Sequence, residues 1–225
     1  MNVLITGGSS GLGAAVARRI AADGGRPLVI DLHPPKDDVE HVLADLTDRR
    51  STEDAVHGLA RQAGGLDAVV TAAGVDACGT LADVPAEDWE RVVQVNLLGT
   101  AAVVRAALPH LLEAPNGRVV TCASTLGIKA LSDATAYCAS KFGVVGFTRA
   151  LTAELKGRVG VTMLVPGGMD TAFFDGRDEQ YRPGPDAQLN RPENVAAAVA
   201  FALAQPPGCE VRELVVCPAR EPSWP

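Results

Sequence analysis

The sequence predicts an α/β fold: a single domain over residues 1–225, built on a doubly wound, seven-stranded parallel sheet flanked by helices. Three observations predict it. Apolar runs of strand length alternate with helix-period segments from one end of the chain to the other, the pattern of a parallel sheet covered on both faces. Glycine is abundant at 23 residues, alanine-rich runs recur and only 4% of residues are aromatic, which suits helices packed closely on a sheet through tight turns. At 225 residues and 47% hydrophobic, the chain fills one sizeable core and is too short for two full domains.

Taken in order, strands are expected at residues 2–6, 28–31, 41–44, 68–71, 118–122, 161–165 and 213–216, each a short apolar run. Helical periodicity covers 11–23, 51–63, 85–112, 134–155 and 192–204. Between the second and third strands, 32–40 carries Pro34 and Pro35. Prolines fix φ and remove N–H donors, so no ordinary helix fits there and the crossover is abbreviated. No internal repeat occurs. The polar, Pro/Gly/Asp-rich stretch within 172–191 reads as a mobile loop over a substrate site, because too little chain follows it to build a second domain.

A formal net charge of −7, with 21% charged residues, disfavours polyanions, so neither nucleic acid nor a membrane is an expected partner. The five cysteines (Cys78, Cys122, Cys138, Cys209 and Cys217) are odd in number, lack C-x-x-C spacing and have no nearby His pair. They read as free thiols in a reducing compartment, with no metal site. The start Met1-Asn2-Val3-Leu4-Ile5 lacks a signal peptide's basic and long apolar regions, and no later run is expected to reach membrane-spanning length. A cytoplasmic location follows as the expectation.

The first strand runs directly into Thr6-Gly7-Gly8-Ser9-Ser10-Gly11-Leu12-Gly13, which opens the first helix. Glycines there let the backbone turn sharply and approach a pyrophosphate, while the helix N-terminus favours the anion. Gly7, Ser9, Ser10, Gly11, Leu12 and Gly13 are therefore candidate nucleotide-binding residues. Asp31 ends the second strand 18 residues after Gly13, where a carboxylate accepts hydrogen bonds from ribose hydroxyls. Those features make the fold Rossmann-type. They also favour NAD over NADP, because Asp31 would repel a 2′-phosphate, Leu32 follows it and Ser10 offers no cation. Arg18, Arg19 and Lys36 are read as solvated surface charges, with a phosphate partner among them as the alternative.

Tyr137-Cys138-Ala139-Ser140-Lys141 places a phenol and an ammonium four residues apart, on one face of the predicted helix. This Y-x-x-x-K pair, Ser124 lying 13 residues before Tyr137, Asn96 in the preceding helix and the glycine-rich start together resemble the short-chain dehydrogenase/reductase (SDR) family over nearly the whole chain. The resemblance implies an enzyme moving a hydride between nicotinamide and a secondary alcohol or ketone. It implies that Tyr137 is the acid/base and that Ser124 holds the substrate oxygen. Lys141 would touch the nicotinamide ribose and, as a cation, favour the phenolate, and Asn96 would anchor a relay water. It further implies cofactor contacts from Tyr137 and Lys141, from Asp45 and Leu46 near adenine, from Ala72, Ala73 and Gly74 after the fourth strand, and from Pro166, Gly167, Met169 and Thr171 within Pro166-Gly167-Gly168-Met169-Asp170-Thr171. All stand at predicted carboxyl ends of strands, where open α/β sheets bind ligands. A homodimer or homotetramer through the helical segments 85–112 and 134–155 is implied as well.

The chain departs from the family where Thr71 and Ala72 replace frequent asparagines and where Cys217-Pro218-Ala219-Arg220 replaces a glycine-rich end. Val75, Ala77, Cys78, Leu126, Ile128, Leu131, Met169, Phe173 and Phe174, with Asp76 as the acidic exception, are candidate pocket residues that suit a substrate with an apolar body. The fold alone equally accommodates a nucleotide-sensing regulator or a scaffold without turnover; the joint Ser124, Tyr137 and Lys141 set argues for the enzyme.

Overall fold

The computed structural model describes residues 1–224. Seven strands form one sheet: β1 (Asn2–Thr6), β2 (Arg26–Asp31), β3 (Glu40–Leu43), β4 (Ala68–Thr71), β5 (Arg118–Cys122), β6 (Gly160–Pro166) and β7 (Glu213–Val216). Every pairing is parallel, in the order β3-β2-β1-β4-β5-β6-β7. The helices are α1 (Gly11–Ala22), α2 (Arg49–Ala63), α3 (Ala86–Val93), α4 (Thr100–Glu113), α5 (Thr135–Leu155) and α6 (Pro192–Leu203). Strand order reverses direction between β1 and β4, so the connections leaving those two strands diverge and open a crevice at their carboxyl ends.

Strand alternation divides the core. Val3 and Ile5 face α1 and α6 with Val16, Ile20, Val195 and Val199. Leu4, Leu28 and Val69 face the opposite way, against Val56, Leu59, Val103 and Leu111 of α2 and α4. Both faces of the central strands are thus buried, which is why they read as continuous apolar runs rather than alternating ones.

Predicted and observed elements agree within a few residues, and no helix forms between β2 and β3. The α2 start comes earlier than the periodicity indicates, because the Asp48 side chain accepts from the N–H groups of Arg50 and Ser51 and caps the helix at Arg49. The largest difference lies in 85–112. That segment is two α-helices joined by a π-helical turn at Gln94–Gly99. Together Ala86–Glu113 span 28 residues with a mean hydropathy of 1.4 in the most apolar stretch, long and apolar enough by composition to cross a membrane. The expectation that no run reaches that length is corrected here. In this fold 56% of that stretch is buried in the protein, with Val103, Val104, Ala107 and Leu111 packed on the sheet.

Candidate active site

A cleft of about 860 Å³ runs along the carboxyl ends of the strands. At its start β1 turns at Gly7, whose φ of +72° is a left-handed conformation, and a Cβ there would stand 2.7 Å from Ala73 Cα. Gly13 is tighter still, since its Cβ would lie 2.1 Å from the Gly7 carbonyl oxygen. Only glycine lets the turn close and α1 begin so near it. Ser10, which precedes α1, makes no side-chain cap bond, so the first-turn amides stay available to a ligand in the cleft.

Gly7, Ser10, Gly11, Leu12, Gly13, Asp31, Asp45, Leu46, Ala72, Ala73, Gly74, Pro166, Gly167, Met169 and Thr171 all line this cleft, as do Ser124, Tyr137 and Lys141. Two candidates do not. Ser9 is turned away: its N–H donates to Asp31 Oδ2 at 3.0 Å and its hydroxyl donates to the His33 carbonyl. Asn96 is fully buried in the π-helical turn. Its Oδ1 accepts from Val75 N–H at 2.8 Å, while Nδ2 donates to the Val75 carbonyl and to Ser140 Oγ. These bonds tie the loop after β4 to α5.

Asp31 keeps room for further hydrogen bonds. Its Oδ2 accepts from Ser9 and its Oδ1 from His33 N–H at 3.1 Å, using two of a carboxylate's roughly four acceptor positions. The nearby basic residues are spent elsewhere. Arg18 pairs with Asp37 and Glu193, Arg19 pairs with Asp23, and Lys36 is exposed outside the cleft. Arg91 of α3 does line the cleft, a contact no sequence signal indicated. The Thr47 backbone N–H chiefly holds the Asp45 carboxyl below its usual range, burial opposes it, and Arg91 adds a smaller lowering.

At the other end α5 presents Tyr137 and Lys141 on one face. The Lys141 ammonium is buried, donates to the Cys122 carbonyl at 2.8 Å and lies 5.6 Å from the Tyr137 ring centre. Burial pushes the lysine below its ordinary pKa and lifts the tyrosine above its own, with the Ser124 hydroxyl acting on Tyr137 in the opposite sense. The Tyr137 pKa is expected to fall beside the Lys141 cation; it rises instead, because burial of the phenol is the largest influence on it. Ser124 Oγ accepts from Leu126 N–H at 3.1 Å, which leaves its own O–H free to donate.

Of the expected pocket residues, Val75, Asp76, Leu126, Leu131, Met169, Phe173 and Phe174 line the cleft, whereas Ala77, Cys78 and Ile128 do not. Ile128 packs against a separate small cluster with Val144, Val145 and Met163. The Cys78 thiol donates to Asp76 Oδ2, and burial, with Asp76 beside it, raises its pKa to about 11. Besides Arg91, two further groups escaped the sequence reading. Arg177 reaches across from the 172–191 segment to Asp76 at 3.0 Å, and its guanidinium lies 4.6 and 4.7 Å from the ring centres of Phe173 and Phe174. Phe173 in turn stands 5.6 Å from Tyr137. Glu221, Pro222 and Ser223 also line the cleft from the far end of the chain.

A glycine-turned crevice and a Ser–Tyr–Lys group on one parallel sheet are the frame of an oxidoreductase built on a dinucleotide-binding fold. The chain belongs to the short-chain dehydrogenase family, whose pattern matches residues 1–182, and members of that family bind NAD or NADP. It is 31% identical over 226 residues to a protein described as an uncharacterized oxidoreductase in Staphylococcus aureus strain MW2, covering 96% of both chains. A Staphylococcus epidermidis protein described in the same words is 30% identical over 228 residues, again over 96% of each. Among solved structures, ligand-free aldohexose dehydrogenase from Thermoplasma acidophilum superposes with a TM-score of 0.85 at 23% identity, over 96% of this chain and 92% of that one. An alcohol dehydrogenase from Thermococcus sibiricus, complexed with 5-hydroxy-NADP, gives 0.84 at 24%, over 96% and 95%.

Proposed function

We propose that the protein transfers a hydride between NAD(H) and a secondary alcohol or its ketone. The observation that carries this reading is the convergence of Ser124, Tyr137 and Lys141 on the cleft that begins at the glycine turn. The residues present fit a dinucleotide: α1 amides for the pyrophosphate, Asp31 for the adenosine ribose, Asp45 and Leu46 beside the adenine, and Gly167, Met169 and Thr171 near the carboxamide. When bound, the nicotinamide supplies or accepts the hydride. The chain handles the proton. In oxidation the substrate hydroxyl proton passes to Tyr137 Oη as the carbon-bound hydrogen leaves with its electron pair; in reduction Tyr137 returns a proton to the carbonyl oxygen. Ser124 donates to that oxygen and fixes it beside the phenol. Lys141, held by the Cys122 carbonyl, sets a buried cation beneath the same point. Asn96 is a positioning residue, holding Val75 and, through Ser140, the turn of α5 that carries Tyr137.

Preference for NAD rests on Asp31 facing the cleft while Arg18 and Arg19 are consumed in ion pairs. The 172–191 segment forms the substrate-side cover. Association into a homodimer or homotetramer through α4 and α5 is supported by exposed Leu98, Leu112 and Phe142 on those elements and the π-helical turn. A cytoplasmic small-molecule enzyme is the setting.

The test is a panel of secondary alcohols and ketones with each nicotinamide cofactor, followed by nicotinamide absorbance. Turnover is expected, and Tyr137→Phe should keep cofactor binding while lowering turnover by at least about 100-fold. A chain that binds reduced cofactor yet turns over nothing is a sensor, and one that binds none is a scaffold.

A further inference from the structure

Residues 221–223 are docked into the cleft rather than lying beside it. Glu221 Oε2 accepts from Gly168 N–H at 2.7 Å, in the loop after β6. Glu221 Oε1 accepts from Ser223 N–H at 3.1 Å and from its hydroxyl at 2.5 Å. Because the Ser223 proton is committed to that carboxylate, the 2.7 Å bond between Ser223 Oγ and Thr125 Oγ1 must be donated by Thr125, which follows Ser124 directly. Lys129 Nζ adds a bond to the Pro222 carbonyl at 3.0 Å. A Cβ on Gly167 would stand 2.2 Å from Glu221 Oε2, so the glycine pair after Pro166 leaves the space this carboxylate fills.

We infer that residues 221–223 form a wall of the substrate end of the cleft and that Glu221 is a positioning residue for it. One carboxylate links the loop after β6, which carries Met169 and Thr171, to the loop after β5, which carries Ser124. Both loops leave neighbouring strands β5 and β6, and the distance between them sets how a substrate oxygen lies against Ser124 and Tyr137. Ser223 is 9% exposed and joins the loop after β5 through a buried hydroxyl pair. Losing the link therefore leaves buried polar groups unpaired on both sides, and the loops relax to rehydrate them. The adenine and pyrophosphate half of the cleft, built from β1, β2 and α1, has no part in this link. The inference rests on the hydride-transfer reading only for its kinetic consequence.

The full chain is compared with Glu221→Ala, Thr125→Val and Thr125→Ser, by hydrogen exchange and by kinetics on the best alcohol or ketone of the panel. In Glu221→Ala and Thr125→Val, exchange over 124–131 and 167–171 should rise at least about tenfold, reporting local opening. Their KM should rise about tenfold or more with kcat changed less, and the Kd for reduced cofactor should stay within about threefold. Thr125→Ser keeps the donor hydroxyl and should match the parent in every readout. Unchanged exchange in Glu221→Ala overturns the docking, and raised exchange with unchanged KM overturns the substrate-wall role. If the parent turns over nothing, the hydride-transfer reading fails by itself, and the exchange comparison still decides whether Glu221 ties the two loops.

Discussion

Removing the Asp31 carboxylate should cost NAD affinity and erase discrimination against NADP. Two backbone N–H groups, from Ser9 and His33, occupy one position on each oxygen, so the remaining lone pairs face the cleft where an adenosine ribose would lie. Hydrogen bonds to a charged acceptor contribute about 1.5 to 3 kcal/mol, so Asp31→Ala should weaken NADH by about 10- to 100-fold. A 2′-phosphate carries about −1.5 to −2 charge, and at about 4 Å each unit meets roughly 1 kcal/mol of repulsion even at the dielectric of water. The parent should therefore bind NADPH at least about 10-fold more weakly than NADH, with the difference shrinking to a few-fold in Asp31→Ala. Leu32→Arg added to that variant should tip it toward NADPH. Fluorescence titration of both reduced cofactors measures this, with melting temperature as a control, because Asp31 also steadies the glycine turn through Ser9. NADPH binding the parent as well as NADH does would refute the reasoning and point to Arg91 or Lys36 as a phosphate partner.

Gly13→Ala should abolish cofactor binding and sharply lower folded yield, since its Cβ would meet the Gly7 carbonyl oxygen at 2.1 Å, a backbone atom that cannot swing aside as a side chain can. Gly58→Ala, inside α2 with nothing within 4 Å of its Cβ, should instead add about 0.5 to 1 kcal/mol of stability. In a chain of this size that is roughly 1 to 4 °C by calorimetry. Where α2 meets α4, His57 Nδ1 lies 3.1 Å from His110 Nε2. Burial, then the neighbouring His57, hold the His110 pKa below its ordinary value. The unfolded chain thus binds this proton more readily: the contribution is complete above about pH 6.5 and is lost as pH falls from there through the lower folded value. Melting temperature should drop between about pH 7 and 5, and His110→Gln should flatten that drop. Asp76→Ala leaves the Arg177 cation, whose side chain is only 15% exposed, without its counter-charge. The 172–191 segment should loosen, with tryptic cleavage after Arg177 at least about tenfold faster; an unchanged rate would show that the pair does not hold the segment.

The sequence by itself determined the sheet, the glycine turn and the Tyr137/Lys141 face, because each is encoded within a few residues of itself. Short apolar runs make buried parallel strands, glycine permits the left-handed turn at Gly7, and an i, i+4 spacing puts two side chains on one side of a helix. The place of Asp31 on the cleft was legible for the same reason, as the last residue of a strand that ends there. What only the tertiary structure decided are pairings between distant segments. Apolar periodicity over 85–112 does not mark the π-helical turn that sets Asn96 against Val75 and Ser140, so those bonds to the loop after β4 and to α5 were not legible. The bonds Ser9 makes were not legible because which side of a turn a serine faces depends on the neighbouring strand's end, here Asp31 and His33. Arg177 finds Asp76, and Glu221 finds Gly168, across chain separations that no local spacing encodes. These contacts exist because the parallel sheet gathers every strand's carboxyl end at one edge, where loops far apart in the chain must share the same space.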